Sequence, residues 1–269
     1  MSAPSSASGF DVPLPASLKA ERSGAVAILT LARAHKRNAL DDPTVLGLEA
    51  FFTALPDGVR AVVLNGEGDH FCSGLDLGEL TERDIAEGIA HSRSWHRAFE
   101  RIEFGKVPVV AVMHGAVVGG GLELAAACHV RVAETSTYYA LPEGSRGIFV
   151  GGGGSVRLPR LIGTSRMMEM MLTGHIYDAE EGKHLGFSHY VVPLHGGLNK
   201  GIELAERIAS NSAMTNFAVT HVLPRIAEQD RAAGYLTEAL MAGIAQGDDE
   251  AKARLKAFLE KRAPKTIRT

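Results

Sequence analysis

No surplus of one charge runs through this chain: 28 Lys and Arg stand against 31 Asp and Glu, a net charge of -3 over 269 residues. Proteins that grip a phosphate backbone ordinarily carry a net basic field, so this balance argues against nucleic acid as a partner. Cysteine is scarce as well. Cys72 and Cys128 both lie inside apolar stretches, which reads as two buried reduced thiols, since a disulfide framework or a zinc site needs more ligands at closer spacing. A membrane-length apolar run is also missing, because residues 107–128 are interrupted by His114, the glycines 119–121 and Glu123. The first fifteen residues are rich in Ser, Ala and Pro and lack the basic start and unbroken apolar core of a secretory signal. They are expected to be a disordered lead-in. Together these absences lead to the expectation of a cytoplasmic protein that uses neither a membrane nor nucleic acid.

Several chemical signatures are missing too. Neither glycine run fits G-x-G-x-x-G, no G-x-x-x-x-G-K-[ST] occurs, and no H-E-x-x-H pattern is found among the eleven histidines. Ser145 and Ser155 lack the flanking glycines of a nucleophile elbow. What remains is an ordinary soluble composition, 45% hydrophobic and 22% charged, long enough for one large domain or a domain with a small appendage.

Along the chain, Val26–Leu31 reads as a strand from its β-branched content. Asp42-Pro43 opens a helix, with Asp42 as the expected N-cap. Residues 61–64 read as a short buried strand and 78–103 as one or two amphipathic helices beside a pocket. Val109–Met113 and 130–133 read as strands flanking a helix over 122–128. Strand–helix alternation of this kind argues for an α/β arrangement. From Ser165 the pattern is almost wholly helical, with a capping arrangement at Asp178-x-x-Glu181 and helices over 197–210, 214–228, 230–245 and 248–262. The expected organisation is a lead-in over 1–15, an α/β body over 16–209 and a helical segment over 210–269.

Three segments carry chemistry: Phe71-Cys72-Ser73-Gly74-Leu75-Asp76-Leu77, Gly119-Gly120-Gly121-Leu122-Glu123-Leu124, and Pro142-Glu143, eight residues before the glycines 151–154. A helix start has N–H groups without internal partners and a dipole that favours negative charge, and glycine lets a ligand approach the backbone. The 119–121 run can therefore hold an oxyanion, and an N–H from the Gly74-Leu75 turn would add a second donor. Read alone, the triplet is equally a tight strand-to-helix turn. Glu123 and Glu143, each read alone, are first-turn acids. Having both, each beside a glycine-rich backbone site, points to paired-carboxylate chemistry. His114 and His129 read as core histidines, and Trp95, His91 and His96 as helix-packing residues, with lining a pocket as the alternative for these three.

These segments resemble the crotonase (enoyl-CoA hydratase/isomerase) superfamily, with the likeness running from about Leu18 to Leu259. Lys36-Arg37-Asn38-Ala39-Leu40 resembles its NAL signature, residues 71–77 its FCAGADL segment, and 118–124 its GGGxEL segment. The resemblance implies a spiral of ββα units with a C-terminal helical trimerisation segment, usually in hexamers, so a homotrimer or a dimer of trimers is expected. It implies an acyl-CoA thioester substrate, no metal, and no cofactor beyond the coenzyme A of the substrate. By the same likeness the oxyanion donors are the N–H groups of Leu75 and Gly120, the catalytic acids are Glu123 and Glu143, and Lys36, Ala39, Ser73 and Gly151 bind substrate.

The chain departs from the family pattern at His129, at Leu141 and at Phe149-Val150-Gly151-Gly152, and Phe149 and Val150 are expected to reshape the acyl pocket. The implied reaction is addition of water to a 2-enoyl-CoA. Its rivals are a hydroxycinnamoyl-CoA-type hydratase-lyase, a double-bond isomerase, which typically needs one of the two carboxylates, and a non-catalytic or RNA-binding relative.

Overall fold

The computed structural model describes residues 10–79 and 84–260. Two compact units divide between Ala209 and Ser210. In the first unit a six-stranded sheet runs in the order β1 (Leu18–Ser23), β2 (Val26–Leu31), β3 (Ala61–Gly66), β4 (Val109–Met113), β6 (Val130–Glu134), β9 (Tyr190–Val192). The β1–β2 pair is an antiparallel hairpin with Leu18 opposite Leu31, and every later pairing is parallel. A second sheet of three strands sets β5 (Ala116–Val118) beside β7 (Tyr138–Ala140) and β7 beside β8 (Tyr177–Asp178).

The central strands are nearly continuous apolar runs because both faces of the large sheet are covered. Side chains alternate between faces along a strand. Val62, Leu64, Val109, Ala111 and Met113 enter the main core, while Ala61, Val63, Val110 and Val112 point the other way. That second face is closed by Leu204 and Ala205. The helices of this unit are α1 (Asp42–Thr53), α2 (Ile85–Glu103), α3 (Gly120–Ala126), α4 (Gly154–Ile162), α5 (Thr164–Thr173), α6 (Ala179–Leu185) and α7 (Gly197–Ala209), the last of which carries Leu204 and Ala205. The second unit is helical: α8 (Ala213–Phe217) continues through a π-helical turn (Ala218–Val222) into α9 (Leu223–Ile226), followed by α10 (Arg231–Gly247) and α11 (Asp249–Leu259). Among the described residues no helix is long and apolar enough to cross a membrane.

Several sequence expectations need correction. The N-cap of α1 is Asp41, whose Oδ1 accepts the Thr44 N–H at 3.0 Å; Asp42 is already helical and instead meets His91 Nε2 at 3.0 Å. Residues 1–9 of the lead-in lie outside the described residues. Its inner part is packed rather than loose, because Phe10 is buried with its ring centroid 5.2 Å from that of Phe51. The stretch after Ser165 is interrupted by β8 and β9, which are too short to show alternation. The capping box at Asp178 and Glu181 forms in both directions.

Candidate active site

The second sheet delivers the chain to the first glycine run. After β5 the backbone turns at Gly119, at φ 53° and ψ -123°, directly into α3. A side chain is strained at that φ, and the space is already taken, since a Cβ on Gly119 would lie 2.6 Å from Glu143 Oε1. On Gly120 a Cβ would lie 2.7 Å from the Trp95 ring, and on Gly121 2.4 Å from the Cys72 carbonyl. The triplet thus lets three different neighbours close in on one helix start.

Gly74 supplies the facing turn, at φ 92°. Leu40 N–H donates to the Gly74 carbonyl and Asp76 N–H donates to the Leu40 carbonyl, both at 2.8 Å. That pattern uses the groups on either side of Leu75 and leaves its own N–H directed away from the bridge. A Cβ on Gly120 would sit 3.5 Å from Leu75 N, and one on Gly74 3.2 Å from Gly120 N. Two main-chain amides are therefore neighbours on the wall of one cavity of about 380 Å³, which Glu123 and Glu143 also line. Neither amide has an acceptor within the chain among the described residues.

Glu123 is buried in the first turn of α3, and its Oε1 accepts the N–H groups of Gly152 at 2.8 Å and Gly154 at 2.7 Å. Burial pushes its carboxyl up to about 7, and the nearby charge of Glu143 adds to this, while the two amides and Arg157 oppose it. The N–H groups at and just before the start of α4 grip Glu123. Glu143 precedes a 3₁₀ turn (Gly144–Arg146), and its buried Oε2 has no hydrogen-bond partner among the described residues. Burial raises its carboxyl above the usual carboxylate range, with Arg146 pulling the other way.

The loop that holds Glu123 is anchored from both sides. Arg157 Nη1 donates to the Gly152 carbonyl at 2.9 Å while its Nε meets Glu103 at 2.6 Å, and Ser92 Oγ donates to the Gly151 carbonyl at 2.7 Å. Among the expected substrate contacts, Ser73 and Gly151 line the cavity. Lys36 and Ala39 do not. Lys36 projects outward, its Nζ 3.9 Å from Asp76, and its carbonyl accepts the Ser73 hydroxyl at 3.4 Å; the Ala39 carbonyl is occupied by Arg33 at 2.6 Å.

For Trp95 and His91 the structure favours the pocket-lining alternative over plain packing. Gly88, His91, Ser92 and Trp95 all line the cavity, at the spacing i, i+3, i+4, i+7 that marks one face of a helix. That spacing was the available signal. His129 and His114 are satisfied internally: His129 Nδ1 accepts the Val109 N–H at 3.0 Å, and His114 Nε2 lies 3.0 Å from the Gly68 carbonyl.

The family model described as Enoyl-CoA hydratase/isomerase matches residues 21–266. The short-chain-enoyl-CoA hydratase of Clostridium acetobutylicum is 29% identical over 245 residues, 90% of this chain and 94% of that protein. A Rhodopseudomonas palustris CGA009 protein, solved as a candidate enoyl-CoA hydratase, is 55% identical with a TM-score of 0.90, covering 91% of this chain and 95% of its own. The enoyl-CoA hydratase of Bacillus anthracis follows at 30% identity and a TM-score of 0.86, covering 93% and 98%. Paired glutamates, facing amides, matched family model and shared fold lead to one statement: this chain belongs to the enoyl-CoA hydratase/isomerase family.

Proposed function

We propose that the protein is an enoyl-CoA hydratase, adding water syn across the 2,3 double bond of a 2-enoyl-CoA to give a 3-hydroxyacyl-CoA. The observation that carries this reading is the convergence of two unoccupied amides and two buried glutamates on one cavity. The thioester oxygen accepts hydrogen bonds from Leu75 and Gly120, which together form the oxyanion hole. Each such donor contributes ~3 kcal/mol as negative charge builds on that oxygen.

The two acids have different surroundings, which supports different roles. Glu123 accepts two amide N–H groups, which partly offset the effect of burial on its carboxyl and fix it in place to take a proton from the attacking water. Glu143 has a carboxyl oxygen without a partner and a raised affinity for its proton, which suits it to deliver a proton to Cα. Ser73 and Gly151 contact the substrate at the cavity wall. Leu236, Leu240 and Ile244, exposed at a spacing of four along α10, support assembly through the C-terminal helices into a homotrimer or a dimer of trimers. The same reading makes the enzyme cytoplasmic.

The test is loss of enoyl absorbance when crotonyl-CoA is incubated with the protein, with the product identified as the 3-hydroxyacyl ester. Glu143→Gln is expected to lower kcat by about 10³-fold with little change in CoA-ester affinity. Unchanged turnover in that variant would overturn the role given to Glu143, and aldehyde release with acetyl-CoA would replace hydration by the lyase reaction.

A further inference from the structure

The hydratase chemistry leaves one charged group of the cavity without a task. Arg146 is the only Lys or Arg in the cavity wall among the described residues, and beyond the pull of its charge on Glu143 the hydratase chemistry gives it nothing to do. Its position is set by the element that sets Glu143. Glu143 has helical dihedrals, φ -56° and ψ -42°, and leads into the 3₁₀ turn that ends at Arg146. In a 3₁₀ turn the side chains at i and i+3 eclipse, so Glu143 and Arg146 lie on one face and look into one cavity. The turn is fixed by hydrogen bonds: the N–H groups of Arg146 and Ile148 donate to the Glu143 carbonyl at 3.0 and 3.1 Å, and Ser145 Oγ donates to the Pro142 carbonyl at 2.7 Å.

Besides Glu143, the part of the wall that follows Arg146 in the chain is apolar, built from Ile148, Phe149 and Val150. Of the other polar side chains of the wall, His91 is held by Asp42, Ser92 by the Gly151 carbonyl and Glu123 by two amides, while Glu143 keeps one oxygen without a partner for the reacting end of the substrate. Arg146 is exposed at the edge of this wall, where a plain acyl chain would leave its guanidinium in water, whereas an anionic group would meet it with a bidentate pair. We infer that Arg146 is a specificity-determining residue, and that the cavity takes 2-enoyl thioesters whose acyl group carries a second carboxylate. The inference rests on the hydratase reading for the reacting end of the substrate and adds the identity of the other end.

The experiment compares hex-2-enoyl-CoA with the ω-carboxy-2-enoyl-CoA of the same carbon count, using the full chain and its Arg146→Leu and Arg146→Lys variants. The readout is the ratio of kcat/KM for the two esters within each protein, which cancels any general loss from the change beside Glu143. The native ratio is expected to favour the carboxylated ester by about tenfold or more and to fall as salt is raised. It should drop below one in Arg146→Leu and recover in part in Arg146→Lys, which keeps the charge but loses the planar fork. A native ratio at or below one, or a ratio that Arg146→Leu leaves alone, overturns the proposal.

Binding of the two saturated thioesters of the same length, followed by calorimetry, reads recognition without turnover. Should neither enoyl ester be hydrated, the hydratase reading fails, and the binding ratio alone decides the role of Arg146. Free coenzyme A is the control. Equal weakening of coenzyme A and of both esters by Arg146→Leu would assign the guanidinium to the nucleotide phosphates and sink the carboxylate.

Discussion

The two sides of the cavity are built differently. On the Glu123 side every contact is tied down: the carboxylate is gripped by two amides, the loop that carries them is held by Arg157 and Ser92, and Arg157 is itself paired with Glu103. On the opposite side Phe149 is 69% exposed and Ile148 39% exposed, with only Val150 of this stretch buried. The difference separates chemistry from selection. Bond making needs groups held within a fraction of an ångström, while acyl recognition can be adjusted by changing a few loosely packed side chains.

The sharpest way to break that division is to disturb the tied-down side. Gly119→Ala would force a side chain into a positive-φ position and drive its Cβ to 2.6 Å from Glu143 Oε1. Glu143 has to move, so hydration of crotonyl-CoA is expected to fall by about 10²-fold or more, as a 1 Å misplacement of a reacting group does. Circular dichroism should show a folded protein. Full activity in this variant would mean that the geometry at the Gly119 turn does not position the acid.

The second prediction concerns pH and has a defined sign. Burial pushes the Glu123 carboxyl up to about 7 in the folded chain, from about 4.5 in the unfolded one. The folded state therefore binds a proton that the unfolded chain has already released. Its stabilising share is complete below about pH 4.5 and is lost as pH rises through about 7, amounting to roughly 3 kcal/mol from this group. Urea unfolding at pH 5 and pH 8 should show that decline in the native protein. Glu123→Gln keeps an acceptor for the two amides and cannot ionise, so its curve should be flatter and the variant relatively more stable at pH 8. Parallel pH dependences would show that Glu123 is not the buried titrating group.

The segments that meet at the cavity were legible in the sequence because each combines a residue type with a local backbone demand: the glycines 119–121 before Glu123, the Gly74 turn, and Pro142-Glu143. The buried strands Val26–Leu31 and Val109–Met113 were legible for the same reason, as apolar runs of strand length bounded by turns. What escaped has physical causes. Asp41 and Asp42 are both competent caps, and nothing local decides between them. Strands of two or three residues, such as β5, β7 and β8, are too short to display a period. The amide donors to Glu123 lie 29 and 31 residues away, and no spacing rule reaches that far. Trp95 and His91 were visible as one helical face, but a face against a core and a face against a cavity look alike until the opposite wall is known.

Phe149→Ala sharpens the comparison from the loose side and carries the smallest effect. The exposed ring has little burial to lose, so the change in unfolding free energy is expected to stay within about 0.5 kcal/mol. The side chain nevertheless lines the cavity two residues before Gly151, on the wall proposed to face the acyl group. Removing it should leave kcat for crotonyl-CoA close to native, because neither glutamate nor either amide loses a contact. KM should shift a few-fold, and by more for longer or bulkier acyl esters, since each methylene that loses its wall forfeits up to ~0.8 kcal/mol. Measuring kcat and KM separately across acyl lengths decides the matter. A fall in kcat alone, equal for every ester, would mean that residues 148–150 take part in positioning Glu143, and the separation of the two walls would not hold.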